Sequence, residues 1–181
     1  MKKRLFGQGL LMVALLGLCG QGACSRYYLT AASTGSYMNA EQGGAPTAVR
    51  LFMYQLLSLP PSLPAATCSE LQGKTPSALV DVLTPEAKVI QKSIFPGFEN
   101  GPEGATLSDK LSKGTKWVLA VPAFYECRND RPRWIAFKLD RISGTTELAF
   151  QLQGYSIRPH SSMREMSCTN VDPQKCARFG R

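Results

Sequence analysis

The sequence predicts an all-β protein with minor helix, built as an antiparallel β-sandwich of two sheets. Three observations predict it. Short segments rich in β-branched and aromatic residues recur along the chain, with turn-forming residues between them. Twelve prolines and 16 glycines in 181 residues interrupt the chain too often for a helical bundle. Several of the segments alternate apolar and polar residues, the period of a half-buried strand.

The chain opens with Lys2, Lys3 and Arg4, followed by the apolar run at 10–18 (LLMVALLGL) and then Gly22, Ala23, Cys24 and Ser25. A basic start, a short apolar core and small residues before a cut are the parts of a secretory signal. The uninterrupted core is too short to span a bilayer, which takes about 20 residues. The cysteine directly after Gly-Ala reads as a lipobox. Residues 1–23 are then a lipoprotein signal peptide, and Cys24 is lipidated as the mature N-terminus. Gln21 departs from the aliphatic residue usual three places before such a cysteine. Ordinary cleavage near Ala23, leaving Cys24 as a free thiol or disulfide partner, is the competing reading. In Gram-negative lipoproteins an Asp after the cysteine favours inner-membrane retention, and here the residue is Ser25. The N-terminus thus resembles bacterial lipoproteins held at the periplasmic face of the outer membrane, where an acyl anchor replaces any spanning helix.

Residues 27–32 (YYLTAA) read as a first strand. Residues 33–46 are small and polar and form a loop. Residues 48–56 (AVRLFMYQL) read as a second strand, with Val49, Leu51 and Met53 on one face and Arg50, Phe52 and Tyr54 on the other. Pro60, Pro61 and Pro64 then forbid a central strand. A short helical turn is expected at 66–71. A second is expected at 77–83, with Thr75 as its cap and Pro76 at its first position. Residues 87–95 alternate and read as a strand, ended by Pro96-Gly97, with loop continuing through 101–104. Residues 116–125 (KWVLAVPAFY) form the most apolar strand after the signal, where Pro122 suggests an edge or a bulge. Residues 133–139 return after a turn at 129–132. Residues 146–153 (TELAFQLQ) alternate cleanly, with Leu148, Phe150 and Leu152 inward. From about residue 154 the chain shows no periodicity and reads as an irregular cysteine-containing tail. Residues 24–181 make one domain.

Removing residues 1–23 from 181 leaves 158, enough to bury a core. The formal charge of +8 falls to +5 without Lys2, Lys3 and Arg4. The charges are scattered, and no basic block of the kind nucleic-acid binders carry is present. Cys19 leaves with the signal. With Cys24 on lipid, Cys68, Cys127, Cys168 and Cys176 remain. An even number in an exported domain reads as two disulfides. Three pairings are possible. Cys168 and Cys176 are close enough to close a small loop, which leaves Cys68 with Cys127. A metal site using cysteines and His160 competes, but the C-x7-C spacing suits no common zinc motif.

The catalytic inventory is thin. His160 is followed by Ser161 and Ser162, and adjacent side chains on an extended chain point apart. Asp81, Glu86, Asp109 and Asp140 are scattered, and nothing nominates two of them as an acid/base pair. No Gly-rich turn would cradle phosphate. Trp117 and Trp134 lie on expected strands and read as core residues or, alternatively, as a ligand platform. The expectation is a protein with no enzymatic activity, cofactor, metal or small-molecule substrate.

The order of the pieces carries a resemblance. A lipobox cysteine precedes YYLTAAS. A loop with Asn39 closes on Gly44-Ala45-Pro46, and Val49-Arg50-Leu51-Phe52-Met53-Tyr54-Gln55-Leu56 follows. Phe95-Pro96-Gly97, the stretch 117–126 and Arg133-Trp134 come later in the same order. This resembles the TssJ (SciN) family, outer-membrane lipoproteins of the type VI secretion system, over about residues 24–139. The strand is longer than the family's V-R-x-Y-Q-L, at Phe52 or Met53, which suggests a bulge. The family's W-R stands here as Arg133-Trp134, and the tail cysteines lie outside its pattern. The resemblance implies a transthyretin-like β-sandwich. It also implies binding to the periplasmic C-terminal region of TssM, an inner-membrane protein, so that the trans-envelope complex is tethered to the outer membrane. The expected contact is the loop after the first strand: Thr34, Gly35, Ser36, Tyr37, Met38, Asn39, Ala40, Glu41 and Gln42. That loop is long for a simple connection, and Tyr37 and Met38 are residue types favoured at interface cores. The other readings are a periplasmic ligand-binding lipoprotein and a small extracytoplasmic enzyme or inhibitor.

Overall fold

The computed structural model describes residues 26–34, 38–39, 45, 47–85, 88–94, 105–127, 130–139, 144–160 and 167–171, with backbone alone at 26–34, 105–108 and 144. Nine strands are seen among them: β1 (Arg26–Thr34), β2 (Val49–Leu56), β3 (Ile90–Ile94), β4 (Ala105–Lys110), β5 (Trp117–Ala123), β6 (Ile135–Lys138), β7 (Gly144–Gln153), β8 (Ser156–Pro159) and β9 (Ser167–Thr169). They form a four-stranded sheet in the order β4-β1-β7-β8 and a five-stranded sheet in the order β3-β2-β5-β6-β9. The two-sheet all-β sandwich expected from the sequence is therefore present. One pairing departs from a wholly antiparallel scheme: β1 runs parallel to β7, from Arg26 beside Gly144 to Thr34 beside Leu152. Alternation fixes which face a strand buries but not the direction of its neighbour.

Both faces of β2 are used, as its apolar outer face foretells. Val49, Leu51 and Met53 join Val118, Phe137, Leu148, Phe150 and Leu152 in a core between the sheets. Phe52, Tyr54 and Leu56 join Leu63, Leu71, Leu79, Leu119 and Trp134 in a second core on the other side of the same sheet. Residues 57–83 lie over that outer face as a cover. The cover carries 3-10 turns at Leu63–Ala65 and Ser77–Leu79 and one short helix, α1 (Cys68–Leu71). Thr67 caps α1, and Glu70 reaches back to the Thr67 backbone N–H at 2.7 Å, a reciprocal capping box. The Tyr54 hydroxyl lies 2.8 Å from the Leu71 carbonyl and 2.9 Å from that of Gly73, so it fastens the cover to the sheet.

Several local expectations are corrected. The helix at 77–83 is a single 3-10 turn capped by Pro76, with no side-chain cap from Thr75. The Leu57 N–H donates to the Val82 carbonyl and the Thr84 N–H to that of Gln55, which draws the chain out of helix and back beside β2. No bulge interrupts β2: its register with β5 runs unbroken from Arg50–Ala123 to Leu56–Trp117. Pro122 lies in a central strand, but β6 pairs only as far as Ala120. Beyond that point β5 has a neighbour on one side alone, where a missing N–H is tolerated. β4 was not expected; ATLSDK has little strand propensity, and pairing with β1 imposes the conformation. Nor is the stretch after 154 wholly irregular, since it supplies β8 and β9.

Gln55 links the sheets at one end of the sandwich. Its side-chain NH2 donates to the Lys110 carbonyl at 2.9 Å, and its oxygen accepts the Ser112 N–H at 2.7 Å. Cys68 is disulfide-bonded to Cys127, with Cα atoms 6.3 Å apart and 59 positions between them in sequence. The bridge clips the cover to the loop after β5. Cys168 is also disulfide-bonded; Cys176 lies outside the described residues. Among the described residues no helix is long and apolar enough to cross a membrane, and no group of three His, Cys, Asp or Glu could hold a metal ion.

Candidate partner interface

The register places the connections at two ends. β1 starts beside Gly144 and Lys110 and finishes beside Leu152 and Ala105. The start of β1, the connection at 111–116 and the start of β7 therefore share one end. The loop after β1 shares the other end with the β7–β8 turn and the β5–β6 connection, because Arg50 at the start of β2 pairs Ala123 at the end of β5. The nine residues of β1, eight steps of about 3.3 Å, separate its two ends by roughly 26 Å.

Asn39 organises the second end. It has φ +51°, the left-handed region that asparagine tolerates better than most residues. Its backbone N–H donates to the Gly154 carbonyl at 2.8 Å. Its side-chain NH2 donates to Thr47 Oγ1 at 2.8 Å and to the Ala48 carbonyl at 3.3 Å. Its side-chain oxygen accepts the Tyr125 N–H at 2.6 Å. The Thr47 hydroxyl donates back to the Asn39 carbonyl at 2.8 Å. One residue thus joins the loop after β1 to the β5–β6 connection of one sheet and the β7–β8 turn of the other. Gly154, at φ +56°, takes the first position of that two-residue turn, where hairpins favour glycine. Phe124 and Tyr155 pack edge to face with centroids 6.4 Å apart, tying the same two connections together.

This geometry corrects two of the expected contact residues. Met38 is fully buried in the core between the sheets, and Asn39 is 7% exposed with its polar groups engaged. Both side chains are taken up in the fold. Thr34 ends β1 beside Leu152. Gly35, Ser36, Tyr37, Ala40, Glu41, Gln42 and the lipid-acceptor candidate Cys24 lie outside the described residues. Tyr125 was not expected here. It is 74% exposed while its backbone is held by Asn39, so a large aromatic ring is displayed from a fixed point. The sequence places Tyr125 at the end of the apolar strand 116–125, which hides the fact that β5 stops at Ala123.

Arg133 is a second residue whose role lies in the fold. It is 4% exposed, and its Nη2 donates to the Ala66 carbonyl and to that of Pro64 at 3.3 Å. Burial pushes the Arg133 guanidinium below its usual range. Trp117 and Trp134 are buried in the core beneath the cover, so neither forms a ligand platform. His160 is exposed, its backbone N–H bonded to the Ala149 carbonyl. The amides and hydroxyls at the loop end hold backbone segments in place, and what this end offers to another molecule is surface.

These features define a class: a two-sheet β-sandwich with one sheet covered and Asn39 joining three connections at one end. No family model matches the sequence, and no curated protein does. Solved structures share the fold. Lip of Serratia marcescens, described as a membrane bound component of the Type VI Secretion System, aligns with a TM-score of 0.63 at 17% identity, over 76% of this chain and 98% of that one. The T6SS lipoprotein TssJ1 of Pseudomonas aeruginosa aligns at 0.57 and 18%, over 75% and 97%. A chain in a structure described as the T6SS protein TssM C-terminal domain from EAEC aligns at 0.55 and 16%, over 74% and 98%. At these identities the likeness is one of fold.

Proposed function

We propose that this chain is a lipid-anchored structural lipoprotein of a type VI secretion membrane complex. In this reading it tethers the complex to the outer membrane by binding the periplasmic C-terminal region of a TssM-like inner-membrane protein. The observation that carries the reading is the polarity of the sandwich. Cys24 lies two positions before β1 in sequence, and β1 starts at the end opposite Asn39 and Tyr125. A lipid on Cys24 therefore leaves the loop end facing away from the membrane, separated from the anchor by the length of β1. A tether needs this arrangement, and it needs no catalytic group. The likeness of fold to Lip and TssJ1 supports the same reading.

The contact falls on Gly35, Ser36, Tyr37, Ala40, Glu41 and Gln42, together with the exposed Tyr125. A rigid scaffold that presents a loop is a common binding design. The second disulfide joins Cys168 to Cys176, and the protein is no enzyme. Replacing Tyr37, Glu41 and Gln42 together by Ser, with Met38 and Asn39 retained, should abolish co-purification of the inner-membrane partner. Melting temperature and membrane attachment should not change. Retained co-purification in a folded, attached variant would contradict the loop as the contact.

A further inference from the structure

The end of the sandwich where β1 starts is rich in lysine. Lys110 ends β4 beside Tyr27, the second residue of β1. Lys113 and Lys116 follow in the connection to β5, and all three are exposed. Lys138, half-buried, pairs with Trp117 at the same end. The backbone that carries the exposed lysines is held from within. The buried Gln55 donates to the Lys110 carbonyl, and its side-chain oxygen accepts the Ser112 N–H and, at 3.0 Å, the Thr115 hydroxyl. The Thr115 N–H donates to the Ser112 carbonyl at 3.2 Å and Gly114 takes φ +87°, so Lys113 stands on a tight turn. The Lys116 N–H donates to the Leu56 carbonyl at 2.9 Å. The acid beside them, Asp109, accepts the Lys110 N–H at 2.7 Å, and its other oxygen lies 3.4 Å from the Gln55 side-chain nitrogen. The exposed carboxylates Asp81 and Glu147 stand on the cover and three residues into β7. In sequence, Asp140 is followed by Arg141 and Glu86 by Lys88, which adds no net charge. The opposite end carries both signs, with Arg50 and Arg131 exposed as well as Glu126 and Asp130.

We infer that Lys110, Lys113 and Lys116 dock on the anionic phospholipid surface to which the chain is anchored, and so fix the direction in which the sandwich points. The inference rests on the proposed lipid at Cys24, two positions before β1 in sequence, because that lipid brings this end to a membrane. An acyl anchor sets distance from a membrane but not the direction of the domain it carries. Ammonium groups on a fixed backbone supply the direction. Each lysine close to an anionic surface strengthens binding about fivefold, so three together give about a hundredfold. The attraction fades within a Debye length, about 8 Å at physiological salt. The arginines of the loop end, roughly 26 Å away along β1, therefore contribute little. Seating the lysines on lipid holds the loop end outward, toward the partner.

The test uses the mature full-length chain carrying Cys24→Ser, so that no acyl chain contributes, with vesicles of phosphatidylglycerol or of phosphatidylcholine. Co-sedimentation is expected with phosphatidylglycerol at about 50 mM salt, lost at about 300 mM, and absent with phosphatidylcholine. The variant Lys110→Gln/Lys113→Gln/Lys116→Gln should bind about tenfold more weakly or worse, at unchanged melting temperature. Arg50→Gln/Arg131→Gln/Arg158→Gln removes equal charge from elsewhere and should change binding less than about threefold. With the acylated parent, hydrogen exchange at residues 110–116 should slow on phosphatidylglycerol relative to phosphatidylcholine vesicles, and exchange at 123–127 should not. No binding to phosphatidylglycerol, equal binding to phosphatidylcholine, or equal loss in the two triple variants would overturn the inference. Binding to purified peptidoglycan sacculi without binding to phosphatidylglycerol would also overturn it. Intact mass of the parent protein reads the Cys24 lipid independently, so an absent acyl group and an inert lysine face are told apart.

Discussion

The side-chain oxygen of Asn39 accepts the backbone N–H of Tyr125 at 2.6 Å across 86 positions of sequence. The same residue binds Gly154 through its N–H and Thr47 through its side-chain NH2. Asn39, the Tyr125 backbone and the β7–β8 turn are therefore joined. An interface that uses Tyr125 meets a backbone already fixed, which lowers the entropic cost of association.

Replacing Asn39 by Ala should destabilise the domain by about 2–4 kcal/mol, because it unpairs buried backbone groups and leaves a Cβ residue at positive φ. Replacing it by Gly removes the bonds and keeps the conformation, so it should cost less. Urea unfolding of both variants measures the difference. Equal stability to the parent would show that the loop is held by other means.

The Cys68–Cys127 bridge closes a separation of 59 positions and clips the cover at its midpoint. Converting both cysteines to Ser should cost about 2–5 kcal/mol. Arg133, bonded to Pro64 and Ala66, holds the same part of the cover without the bridge. The double variant should therefore retain native near-UV circular dichroism while melting at lower temperature. A molten near-UV spectrum would show that the bridge alone seats the cover.

Burial holds the Tyr54 hydroxyl well above the ordinary range of a phenol. The folded state keeps this proton more tightly than the unfolded chain, whose phenol titrates near about pH 10. Stability from Tyr54 is thus complete below about pH 10 and is lost as the pH rises above it. Tyr54→Phe should melt lower than the parent at neutral pH, and the gap should narrow in alkali. A gap constant with pH would show that ionisation of Tyr54 plays no part.

Replacing Cys24 by Ser should release the mature domain from membranes or leave its signal uncut. Intact mass measurement of the purified N-terminus checks it. An unmodified Cys24 thiol on a soluble product would remove the anchor from the account.

The legible parts of the fold were those where side chains alternate against a core. β7 shows Leu148, Phe150 and Leu152 buried, as its pattern requires, and β2 shows both of its faces covered. β4 was not legible because Ala, Ser, Asp and Lys are poor strand formers, and its partner β1 lies far away in sequence. β8 and β9, at four and three residues, are too short to display a period. That a loop follows β1 was legible, but the roles of Met38 and Asn39 within it were not. Met38 looks like an interface residue by type and is core by position. Asn39 looks like an ordinary turn residue, and its importance rests on partners at Tyr125 and Gly154 that only the folded chain brings together.

The central claim is that one end of the sandwich carries the anchor and the other binds an inner-membrane protein. Photocrosslinking in living cells tests it most directly, with a photoreactive side chain placed at Tyr125 on the loop end or at Lys113 on the anchor end. Both positions are exposed. The account predicts a crosslink from position 125 to one abundant inner-membrane protein, identified by mass spectrometry, and none to that protein from position 113. A crosslink to that protein from position 113 and none from 125 would contradict it.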